Sequence, residues 1–205
     1  MKKFFLKNIK SDDAGGSITY LGIFGILLVC LLGIWVTDIT KNLSMTNQYQ
    51  LAAQRATQTA AKDQNSLGGL NPSAINVVIK EYEHQTQVGD KKAFADKCRK
   101  DGYPKIYVFV DNVRNHRASY QGEGLTPVFT SQSYQTAPET TLKELEMDFA
   151  KNNYQVIAVR VDDVVQDYFT PIFNDFGCQV VTTDASTILA SSRDEDDFIK
   201  MRKPN

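Results

Sequence analysis

From Ile18 to Val36 the chain reads ITYLGIFGILLVCLLGIWV without a single charged residue. At a rise of about 1.5 Å per residue, such a run matches a hydrocarbon core about 30 Å thick. The expectation is therefore one membrane-spanning helix over residues 18–36, with the bilayer lipid as its first partner. Lys2, Lys3, Lys7 and Lys10 precede the run, against Asp12 and Asp13, while only Lys41 and Arg55 follow it closely. The positive-inside rule places such a basic start in the cytoplasm and the remainder outside it. A cleaved secretory signal is the competing reading. The run exceeds the usual apolar core of about 7–15 residues, and Trp35-Val36-Thr37-Asp38 is a poor small-residue cleavage site, so the sequence favours a retained anchor.

The helical pattern does not stop at the membrane boundary. Residues 39–63 contain no Gly or Pro, and Ile39, Leu43, Thr46, Tyr49, Ala53, Ala56 and Ala60 recur at spacings of three and four. This stripe predicts a helix continuous from about Ser17 to Asp63, with its end at Ser66-Leu67-Gly68-Gly69 before Asn71-Pro72. Its alanines allow close packing on a partner helix or a sheet, and Gly22 and Gly25 leave a small surface on the membrane segment.

Past that point the period changes repeatedly. An amphipathic helix is expected from Pro72 to His84, capped by Asn71 or Ser73 and carrying Ile75, Val78, Ile79 and Tyr82 on one face. Alternating β-branched and aromatic residues predict strands at Lys105–Val113, Tyr154–Val161 and Cys178–Leu189. Thr140–Asn152 reads as a helix through Leu142, Leu145 and Phe149, and Val164–Phe176 as another despite Pro171. Gly122-Glu123-Gly124 marks a turn or long connection between residues 115 and 127. The fold class is α+β, a small, mostly antiparallel sheet against the long helix. The layout is a basic tail over 1–17, the anchor over 18–36, its outer continuation over 37–66, an exported domain over 67–191 and a charged tail over 192–205.

Chemistry is sparsely signalled. The formal net charge of −1 gives no field that would attract nucleic acid. His84 and His116 fall in separate polar segments with no cysteine or histidine at ligand spacing, so no metal, cofactor, catalytic pair or small-molecule substrate is expected. Asp162, Asp163 and Asp167 lack the glycine and terminal glutamate of a calcium loop and read as a solvated strand end. Cys30 lies in the apolar run. Cys98 and Cys178 either close a disulfide in an oxidising space or stand as separate thiols.

The order of these features resembles the TadE/TadG-like assembly proteins of tight-adherence pili. The matching positions are Gly16-Ser17 ahead of the apolar helix and Val36 with Asp38 one residue displaced. Gln50-Leu51-Ala52-Ala53 follows, with Ala56, Ala60 and Ala61. The resemblance covers residues 12–63 and extends to Val159, Val161, the stretch Gly177–Val181 and Ala185-Ser186. It implies a pseudopilin-like fold and a minor pseudopilin or an envelope-anchored assembly factor. Such a protein acts on other pilin-like or Tad assembly proteins by helix packing, here through Gly22, Gly25, Asp38, Ala53, Ala56 and Ala60. The family's processing site corresponds to Gly16-Ser17. Processed members carry a glutamate where this chain has Leu21, which favours an unprocessed, TadG-like role. The alternative function is a signal-anchored module that binds a ligand or envelope partner through residues 122–135.

Overall fold

A computed structural model describes residues 13–87, 102–112, 126–167 and 177–189. Helix α1 spans Asp13–Ala60 and is unbroken, as its sequence predicts. Helix α2 follows at Ala74–Thr86, strand β1 at Lys105–Asp111, β2 at Phe129–Gln132, α3 at Glu139–Asn152, β3 at Val156–Asp167 and β4 at Gly177–Ile188. The chain divides into two compact units, one of Met1–Asn42 with Asp167–Gly177, the other of Leu43–Gln166 with Cys178–Asn205.

In the larger unit the four strands form one sheet in the order β2-β1-β3-β4. β1 pairs antiparallel with β2, Ile106 opposite Ser131, and with β3, Val108 opposite Val159. On β4, Asp184 bonds Arg160 and Thr182 bonds Asp162, so β4 runs antiparallel to β3 as well. The architecture is therefore α+β with an antiparallel sheet. Alternation along the strands sends Ile106, Val108, Ile157, Val159, Val161 and Ala185 to one face, where they meet α2 through Ile75, Val78, Ile79 and Tyr82. The second half of α1 enters the same core through Ala52, Ala53, Ala56 and Ala60. Alanine is what that position admits, because a short side chain lets the helix backbone approach a pleated surface closely. Phe149 of α3 closes one side and stacks edge-on against Tyr154, with ring centres 5.2 Å apart.

α1 stops at Ala60 rather than Asp63 because the chain turns back at once. Asn65 accepts hydrogen bonds from the Leu67 and Gly69 amides through Oδ1, and Gly68 takes a φ of +78°, a conformation open to glycine. Asn71 then donates its amide to the Asp63 carbonyl.

Several expectations are corrected. No helix begins at Val164. The segment Val164–Asp167 continues β3, and its Val164-Val165 pair supports strand propensity as well as a helical repeat; the remainder of 164–176 lies outside the described residues. Asp162 and Asp163 therefore sit within a strand rather than at its end. β2 was not expected at all. Ser73 precedes α2 without capping it, and its hydroxyl instead donates to Asp63 Oδ2 at 2.5 Å. Residues 115–125 and the charged tail over 192–205 lie outside the described residues.

Candidate functional site

The most prominent surface is the first part of α1. Every large apolar side chain from Ile18 to Val36 is exposed, from Ile34 at 41 % to Tyr20 at 76 %. This is the one helix among the described residues long and apolar enough to cross a membrane. Holding such side chains in water forfeits about 1.5–3 kcal/mol apiece relative to burial, so the surface requires an apolar surrounding. Thr37 and Thr40 fit that setting, since each hydroxyl donates to the carbonyl four residues earlier, Gly33 and Val36, at 2.8 Å.

The residues singled out for packing separate into two groups. At Gly22, Gly25 and Gly33 an added Cβ meets nothing within 4 Å, so these backbone positions stand open to a neighbour. Ala53, Ala56 and Ala60 are fully buried in the chain's own core, which leaves them no surface for a second molecule. Asp38 is only 4 % exposed although its helix neighbours Val36, Thr37 and Ile39 are open. Gly16, at the position matching the processing site, is exposed within α1; the side chain of Ser17 is outside the description. Cys98 lies outside the described residues, as does the side chain of Cys178, so their pairing is not placed. Cys30 is a free, exposed thiol on the apolar helix.

Inside the larger unit a polar cluster ties helices to sheet. Asp163, 2 % exposed, accepts the Tyr82 hydroxyl at 3.0 Å on Oδ2 and its neighbour's amide, Val164 N–H, at 2.8 Å on Oδ1. Tyr49 of α1 donates to the Val164 carbonyl at 3.0 Å, and the hydroxyls of Tyr134 and Thr86 lie 2.9 Å apart. Burial, and then the Asp163 charge, raise the Tyr82 phenol well above its ordinary value. It is a neutral donor at any physiological pH, able to hold a buried carboxylate and unsuited to act as a base. Sequence spacing had put Tyr82 on the buried face of α2, but nothing local connects it to an aspartate 81 positions away.

The opposite face of the sheet carries an open depression of about 420 Å³, lined by Tyr107, Phe109, Pro127, Arg160, Asp162 and Thr182. Its charges are internally paired. Arg160 Nε meets Asp184 at 3.0 Å, and Asp162 accepts the Thr182 hydroxyl at 2.7 Å. Asp162 and Asp163, adjacent in β3, point to opposite faces and do not converge. No group of three or more potential ligands that could hold a metal occurs among the described residues. No family model matches the chain, and neither a curated protein nor a solved structure was found to match it.

Proposed function

We propose that the chain is a membrane-anchored minor pseudopilin or assembly factor of a Tad or type IV-related pilus or secretion apparatus, working by helix packing and protein contacts rather than turnover. One observation carries this reading. A single unbroken helix presents bare apolar side chains along its first part and builds the core of an antiparallel α+β unit with its second. An anchor used only as a tether would tolerate a flexible break between membrane and domain. Here the apolar stretch and the core-forming stretch belong to one helix with no break assigned between them, which supports a role for that helix beyond tethering. The basic start places the N-terminus in the cytoplasm and the sheet outside it, and Gly22 and Gly25 offer the neighbour its closest approach.

Deleting the gene in the source organism should abolish or sharply reduce surface filaments, or export through the related apparatus, with restoration by the intact gene. Unchanged filament number, adherence and export would reject the proposal.

The depression on the outer sheet face favours a second reading, an anchored module that binds an envelope partner. A fragment used to compare the two must begin at or before Leu43, because Tyr49 and Ala52–Ala60 belong to the core. Retention of the partner by such a fragment favours the binding module, and loss of it favours assembly through the membrane helix.

A further inference from the structure

We propose that the depression on the outer sheet face binds a neutral, hydroxyl-rich saccharide, one or two sugar rings of a glycan chain, which rests on and sharpens the reading of the chain as an anchored module with an envelope partner. Tyr107 and Phe109 stand two apart on β1 and so share that face. Phe109 is 6 % exposed and forms the floor, whereas Tyr107 is half-buried and remains accessible. Directly opposite Tyr107 in the ladder is Arg160, and the next residue of β3 on the same face is Asp162. Arg160 is held to Asp184 at 3.0 Å, and Asp162 accepts the Thr182 hydroxyl on Oδ1 at 2.7 Å. Lys105, opposite Asp162, holds its ammonium 5.0 Å from the Tyr103 ring centre. Among the described residues, nothing donates to the second carboxylate oxygen of Asp162, and the Tyr107 hydroxyl has no hydrogen bond.

Charge, polarity and shape together select the ligand. The lining charges, Arg160 and Asp162, cancel, so the site has no net attraction for an anion or a cation. A charged ligand would also compete with the Asp184 and Thr182 contacts. A carboxylate accepts hydrogen bonds at both oxygens, so Asp162, already oriented by Thr182, can accept from a ligand hydroxyl without losing that bond. The Tyr107 ring beside it offers an apolar surface next to a polar one. A pyranose has the matching division, with C–H groups on its faces and hydroxyls around its rim. The volume of about 420 Å³ falls within the about 300–1,000 Å³ of small-molecule sites, and the depression is open, so a glycan chain can continue beyond it. A peptide fits less well. An added peptide strand pairs with a sheet edge rather than a face, and the nearly buried Phe109 closes the floor against an inserted side chain.

The test passes the full chain, in detergent micelles, over immobilised neutral tetrasaccharides, with tetragalacturonate as the anionic comparison, and titrates the soluble form of whichever probe is retained. An N-acetylglucosamine tetrasaccharide stands for wall-type glycan, and cellotetraose, maltotetraose and mannotetraose for secreted hexose polymers, so the probe retained identifies the source. Retention of a neutral probe is expected, with affinity falling about tenfold or more in Asp162→Asn and in Tyr107→Ala. Tyr107→Phe keeps the ring and should keep part of the affinity. Thr182→Tyr places bulk at an exposed position and should block the depression while leaving the circular dichroism unchanged, which keeps the test decisive if Tyr107→Ala fails to fold. Retention of none of the neutral probes, preference for tetragalacturonate, or binding unchanged in both Asp162→Asn and Thr182→Tyr overturns the assignment. Absence of sugar binding while an envelope protein is still captured contradicts the saccharide alone; absence of both contradicts the module reading as well.

Discussion

Tyr82 shows how a single buried hydroxyl fixes an element. It joins α2 to β3 through Asp163, whose carboxylate has left water and needs its donors. Tyr82→Phe keeps the ring and removes the donor, and should cost about 1.5–3 kcal/mol, the usual range for a hydrogen bond to a charged group, measured by denaturant unfolding of the full chain in detergent micelles. The same residue sets an alkaline limit. Its folded pKa is raised, so the folded state holds the phenolic proton more tightly than the unfolded state does. That contribution is complete below the unfolded value of about 10 and is lost as pH climbs from there toward the folded value. Stability should thus fall above about pH 10, and the Tyr82→Phe variant should show a shallower fall. Equal slopes for the two proteins would mean that Tyr82 is not the group responsible.

At the scale of elements, α1 carries two surfaces with opposite tolerances. Ala56 is fully buried against the core, and Ala56→Leu should destabilise the fold by about 1–3 kcal/mol through overpacking. Gly22 has open space around its Cβ position, so Gly22→Leu should leave the melting temperature unchanged while weakening association with whatever helix packs there. Thermal melting of both variants together with co-purification of neighbours separates the two effects. The difference between these halves was only partly legible in the sequence. Periodicity over 25 residues without Gly or Pro identified the helix, and the alanine stripe identified a close contact, but alanine cannot say whether its partner is another chain or the same one. β2 was not visible because Phe129–Gln132 is four residues long with its only buried side chain a serine. The turn from β3 into a supposed helix at Val164 failed for a related reason. Val165 satisfies both a period of two and a helical repeat, and pairing with a neighbouring strand decided between them. The Tyr82–Asp163 tie, with the partners far apart in the chain, depends on the fold and has no local signature.

The whole molecule combines a surface that water does not tolerate with a unit that has the burial pattern of an ordinary soluble core. Residues 18–36 should keep the intact protein with the membrane fraction after alkaline carbonate extraction, whereas a chain starting at Leu43 should be released. Release of the intact chain would leave the exposed apolar side chains without an explanation. The anchor alone does not distinguish a tether from an assembling helix, and the central claim is that this helix packs against another. The most direct measurement places a photo-activated cross-linking amino acid at Gly25 in living cells and identifies what it captures. The account predicts a discrete adduct with another single-pass, apolar-helix protein of the pilus or secretion apparatus, or with a second copy, and loss of that adduct on Gly22→Leu. Capture of lipid alone, with no protein adduct at Gly25 or at the neighbouring Val29, would contradict it.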